Sequence, residues 1–197
     1  MVRLIDSDLN RGNRKISFKC VVKRISRFFV AASICLSASA CGLVEKRQRY
    51  SCPEVFILND AQKLTRFQPG LGRDNSDIRF EAEISDFRGE CDYNQDQGEW
   101  TVGVDLLVQI SLDRGPANRS GDISFEYFVL LPDFEGKPGG KKIFAIDGAF
   151  TEDGKRRVYE DNVQLLVPLK TPSEGAGTKI VLGFQLTRNE LKFNRAH

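Results

Sequence analysis

The sequence predicts an all-β protein, with about seven antiparallel strands in a β-sandwich over residues 52–197 and one short helix. Three observations carry this. Apolar residues alternate with polar ones at period two in successive windows, the mark of strands with one buried face. Gly-, Pro-, Asn- and Asp-rich segments separate those windows. Hydrophobic residues make up 41% of the 197-residue chain and charged residues 28%, a globular composition that argues against wholesale disorder. An immunoglobulin-like topology is compatible with this pattern, but no Cys…Trp…Cys spacing supports it; a small β-barrel is the alternative architecture.

The elements follow in order. Val55–Leu58, after Cys52-Pro53, reads as a short first strand. Asn59 or Asp60 can cap a helix over Ala61–Phe67, with Leu64 and Phe67 on one face and Gln68-Pro69-Gly70 as its stop. Ile78, Phe80, Ala82 and Ile84 alternate with charged neighbours in a second strand, ended by the turn-like run Asn94–Gly98. The clearest strand runs from Trp100 through Val102, Val104, Leu106, Val108 and Ile110 to Leu112. Ile123–Leu131, Ile143–Ile146, Val163–Leu169 and Ile180–Leu186 supply the rest. Asp153-Gly154 reads as a two-residue hairpin turn. A short helical turn is expected after Thr187, over Asn189–Leu191.

The formal net charge of +2 pools two unlike parts. Residues 1–40 hold eight basic and two acidic residues, a balance of +6, and residues 41–197 a balance of −4. The basic excess therefore says nothing of nucleic acid, and no nucleic-acid partner is expected. The positive charges stop at Arg27, and an uncharged stretch follows from Phe28 to Val44. A basic segment, a short apolar run and Ala38-Ser39-Ala40 together form an export signal. The run Leu36-Ser-Ala-Ser-Ala-Cys41 resembles a bacterial lipobox with Ala38 in place of the commoner leucine.

Cysteine parity points the same way. Cleavage before Cys41 leaves three of the five cysteines. Lipidating Cys41 leaves Cys52 and Cys91 as one pair, suited to an oxidising periplasm. Closing that loop is worth on the order of 4 kcal/mol in chain entropy. The expected organisation is a leader over 1–40, a lipidated Cys41 with a tether over 41–51, and a β-domain over 52–197. A soluble exported protein and an uncleaved anchor are the alternatives. Residues 1–20 have two explanations: an extension upstream of a start at Val21 or Val22, or a long basic leader.

The residues that could carry chemistry are few. The only histidine is His197, which argues against histidine catalysis and ligation. Asp92, Asn94 and Asp96 offer oxygens at alternate positions, a weak calcium candidate, but Gly103 stands where a bidentate Glu would be needed. Gly136–Lys142 lacks the spacing of a phosphate loop. Lys141, Lys142, Lys155, Arg156 and Arg157 read as a solvated edge, with a patch for anionic lipid or polysaccharide as the sharper alternative. Glu81 and Glu83 read as the solvent face of a strand. No catalytic site is expected, and no cofactor beyond the lipid on Cys41.

Cys52-Pro53, Leu64-Thr65-Arg66-Phe67 with Pro69-Gly70, Asp77-Ile78 with Phe80-Glu-Ala-Glu83, Cys91 with Tyr93, and Gly183-Phe-Gln-Leu-Thr187 with Glu190-Leu191 and Asn194-Arg195 carry a family resemblance over about residues 52–195. In them the chain resembles a family of uncharacterised small lipoproteins of Gram-negative bacteria. The resemblance implies lipidation and paired cysteines, and no catalytic site. Gly42 after Cys41 resembles lipoproteins sorted to the outer membrane. The expected function is a membrane-anchored, periplasm-facing lipoprotein that acts without catalysis as adaptor or accessory subunit of a cell-envelope complex. Its expected partners are membrane lipid, through Cys41, and another envelope protein. A carrier or sensor of a lipid or small apolar ligand is the alternative.

Overall fold

A computed structural model describes residues 50–70 and 72–197. Cys41, the leader and most of the tether lie outside the described residues. Among the described residues the chain forms eight strands and one α-helix, in two four-stranded sheets. The strands are β1 (Glu54–Ile57), β2 (Lys63–Phe67), β3 (Ile78–Asp96), β4 (Glu99–Arg114), β5 (Asp122–Leu130), β6 (Lys141–Ala149), β7 (Arg156–Leu169) and β8 (Lys179–Phe184). One sheet has the order β1-β8-β5-β6, the other β2-β3-β4-β7. Neighbours are antiparallel except β1 and β8, which run parallel from Glu54↔Lys179 to Ile57↔Leu182. The sheets stay open, and the fold is an all-β sandwich rather than a barrel.

The period-two residues fill the space between the sheets. Val102, Val104, Leu106, Val108, Ile110 and Leu112 of β4 are all buried, and face Phe125, Tyr127 and Val129 of β5 and Ile180, Leu182 and Phe184 of β8 within one core. Phe125 links the two sheets, with ring centroids 6.4 Å from Phe80 and 5.6 Å from Phe184.

Strand β3 explains why its second half is silent in the sequence. Its register against β4 shifts between Ile84 and Asp86, leaving Ser85 as an extra residue. Before this bulge the even residues Phe80, Ala82 and Ile84 point inward. After it Phe87, Gly89, Cys91 and Tyr93 oppose the inward residues Val108, Leu106, Val104 and Val102. One inserted residue changes which parity faces the core.

Three expectations need correction. The helix over Ala61–Phe67 is absent: Asn59–Ala61 forms one 3₁₀ turn and Lys63–Phe67 is β2, paired with β3. A seven-residue helix has little stability of its own, whereas edge pairing satisfies the same backbone and buries Leu64. This strand raises the count to eight. Asp153-Gly154 is not a hairpin turn, because β6 and β7 lie in different sheets. It forms a turn closed by Gly154 N–H donating to Thr151 O, in a crossover between sheets, and Gly154 lacks the positive φ that a primed hairpin turn requires. Asn94 and Asp96 belong to β3, and the turn itself is Gln97-Gly98, both at positive φ.

The turn expected after Thr187 is the α-helix α1 (Arg188–Asn194). Thr187 Oγ1 accepts from Glu190 N–H, and a Glu190 carboxylate oxygen accepts from Thr187 N–H at 2.8 Å, a reciprocal cap. The helix is clamped to the β2 side. Asn194 donates to Asp60 O and Lys63 O, Arg195 pairs with Asp60 at 2.7 Å, and Phe193 meets Phe67 edge-on at 5.2 Å.

Candidate functional site

The sandwich has two long sides, and they differ. One carries the free edges of β6 and β7. On β6, Lys142 opposes the buried Val129; on β7, Arg157 and Asp161 oppose the buried Leu112 and Val108. Charged residues on the core-facing side of an edge strand disfavour pairing with another chain. Asp161 accepts a 2.6 Å hydrogen bond from the fully buried Tyr127 hydroxyl. Burial, first, and this hydrogen bond push the Tyr127 hydroxyl far above its ordinary value. Arg157 Nη1 donates to Ala149 O.

The other long side is closed over most of its length by β1, β2 and α1, and opens where β8 stops. β8 ends at Phe184, opposite Tyr127, while β5 continues back to Asp122. Gln185 N–H still donates to Glu126 O at 2.9 Å. Beyond that point, among the described residues, β5 has no neighbour on this side. Hydrogen-bonding direction alternates along an antiparallel strand, so Ser124 N–H and C=O turn the same way as Glu126 O, into open space.

That space is a groove of about 700 Å³. Ser124 and Glu126 form one wall, Arg66 and Arg79 the other, and Phe80 and Phe125 the floor. Arg66 donates to Glu190 at 3.0 Å, and the Glu190 side chain is only 11% exposed. The Arg66 Nε is buried and, among the described residues, has no hydrogen-bond partner. A smaller hollow of about 230 Å³ adjoins across Arg66, lined by Phe67, Arg73 and Phe193. The site therefore offers an unpaired strand edge, an aromatic floor and two guanidinium groups, Arg66 and Arg79, but no arrangement of nucleophile and base.

The residues singled out in the sequence fall elsewhere. Cys52 and Cys91 sit at disulfide distance, with Cα atoms 5.7 Å apart, and join the start of β1 to the inward side of β3. Tyr50 and Trp100 pack beside them, around Tyr93, whose hydroxyl donates to Ser51 O. Asp92 and Asn94 lie along the outer face of β3 above Gly103, in an open groove of about 210 Å³ with Asp105 and Gln164. With Asp96 they are spaced along one straight strand at about 7 Å per pair of residues, whereas calcium needs oxygens converging within about 2.5 Å of one point. Among the described residues, no three His, Cys, Asp or Glu are placed to hold a metal ion. The basic residues considered as one patch separate: Lys141 and Lys142 start β6, whereas Lys155, Arg156 and Arg157 stand at the opposite end of the sandwich, with Arg156 paired to Asp113 at 3.0 Å. Glu81 and Glu83 reach sideways to Thr65 and Lys63 on the outer face.

Period-two reading could not find the groove. It depends on β8 stopping short of its partner, and Arg66 falls in a segment whose pattern reads as a helix.

Compared with family models, curated proteins and solved structures, the chain matches none. Among the described residues, no helix is long and apolar enough to cross a membrane.

Proposed function

We propose that the chain is a periplasm-facing lipoprotein, anchored to the outer membrane through Cys41, that acts without catalysis as an adaptor or accessory subunit of a cell-envelope complex. The lipobox-like run before Cys41 and the resemblance to small Gram-negative lipoproteins support the anchor. The observation that carries the adaptor reading is the unpaired edge of β5 beside the groove. An extended segment of a partner protein adds there as a strand, continuing the line of β8. A partner carboxylate over Arg66 and Arg79 adds a charge-assisted bond.

The space between the sheets favours this over a carrier. A ligand enclosed between the sheets needs a cavity of several hundred Å³; the hollow there beside Leu112, Ile123 and Ile146 measures about 10 Å³, and the large groove beside Ser124 lies open along a strand edge instead.

The test is crosslinking in intact cells from a photoreactive side chain in place of Asp147, on the groove's rim. A defined envelope protein should be trapped. Ser124→Pro removes an N–H aimed into the groove and spares the β5–β6 ladder, so it should abolish that adduct while the chain stays folded. An adduct unchanged by Ser124→Pro, or no protein adduct, overturns the reading. Cys41→Ala should separately release the protein from membranes; continued pelleting would overturn the lipid anchor.

A further inference from the structure

The outer face of the β1-β8-β5-β6 sheet divides by chemistry along its length. Its far half is acidic, with Asp122, Glu126 and Asp147 exposed. Its near half, at the end where the chain enters from Tyr50, is apolar, with lysines and Glu54 at its border. Phe56 of β1 is 36% exposed, Leu58 just beyond it 48%, and Ile143 of β6 46%. Val181 of β8 and Leu130 of β5 lie between them, paired with one another, so the apolar band crosses all four strands.

Lysines border this band. Lys179 lies 5.8 Å over the Phe56 ring and Lys141 4.5 Å over Phe128, and Lys137 sits at the same end over Phe134. None of the three is in an ion pair among the described residues. Acids stand at this end too: Glu54 opens β1 opposite Lys179, Asp133 and Glu135 follow β5, and Asp92, Asp96 and Glu99 lie on the β3–β4 hairpin of the other sheet.

We infer that this band is a second membrane contact, laid on an anionic phospholipid surface. The inference rests on the proposed anchor at Cys41. From Cys41 to Tyr50 is nine residues, which span at most about 30 Å, so an anchored domain cannot leave the surface. β1 follows at once and carries Phe56 and Leu58. Apolar side chains with Lys179, Lys141 and Lys137 at their border match the boundary between acyl chains and anionic headgroups. The acidic half and the outer face of the other sheet then turn away from the lipid, and the groove beside Ser124 lies at the end farthest from the tether.

The test uses the full chain as cells process it, with a photoreactive side chain at Phe56, at Ile143, or at Glu160 on the outer face of the other sheet. Illumination of intact cells should give phospholipid adducts from Phe56 and Ile143 and not from Glu160. Lys141→Gln with Lys179→Gln should lower those adducts by about thirtyfold, since each lysine beside an anionic surface is worth roughly fivefold, while the protein stays in the membrane fraction through Cys41. Equal lipid adducts at all three positions, or none at Phe56 and Ile143 from membrane-pelleted protein, overturn the contact and leave the anchor standing. A protein adduct at Phe56 overturns it in favour of a protein interface. A chain found outside the membrane fraction removes anchor and contact together.

Discussion

Two residues set limits that substitution can measure. Gly183 in β8 lies where an added Cβ would come within 2.8 Å of the Phe128 ring and 3.0 Å of Ala61 Cβ. Gly183→Ala should cost about 1–3 kcal/mol by overpacking, and Phe128→Leu in the same chain should recover part of it; denaturant midpoints check both. Tyr127 is the other. Its folded value is raised above the ordinary 10.0 by burial and by Asp161. The fold thus favours the neutral phenol, a contribution fully present below about pH 10 and lost as the pH climbs further, because only the unfolded chain releases that proton. In an alkaline absorbance titration Tyr127 should stay protonated until the chain unfolds. Tyr127→Phe should remove this alkaline dependence and cost about 1–3 kcal/mol at neutral pH by stranding Asp161. Neither effect is legible in the sequence, where Tyr127 is one more member of an alternating run and Asp161 lies outside one.

Among the elements, legibility followed regularity. β4 keeps one parity from Val102 to Leu112 and needs no context to be recognised. β3 breaks parity at Ser85, so its second half reads as polar loop although Phe87, Cys91 and Tyr93 face inward. Deleting Ser85 would leave Asp86 alone opposite Gln109 in a regular ladder, with those three still facing inward; the Cys52–Cys91 bond should therefore still form, and thiol reagents should label neither cysteine before reduction. The segment Lys63–Phe67 misleads for another reason. Its local pattern suits a helix, and the decision is made by β3, which lies many residues away. The cap of α1 is local, and its Thr-x-x-Glu signature is plain in the sequence. Thr187→Ala should cost about 1 kcal/mol, seen as a lower denaturant midpoint at unchanged slope.

For the molecule as a whole, the sandwich class follows from strand number and spacing, whereas the site does not. The groove exists because β8 is shorter than β5, a relation between strands that no single segment records. The disulfide also acts at this scale. It joins residues 39 apart in sequence and ties β1, the outermost strand of one sheet, to β3 of the other. Reduction should lower stability by about 4 kcal/mol, measured as a drop in thermal midpoint that reoxidation reverses.

The parallel pairing of β1 with β8 has a consequence in time. The first strand to emerge during synthesis finds its hydrogen-bonding neighbour only when the last one appears, from Lys179 onward. One sheet therefore stays incomplete until nearly the whole polypeptide has been made. A chain built this way cannot reach its finished fold before translation is nearly over. A stop codon before residue 179 would leave β1 without its partner and a hydrophobic core open along one side.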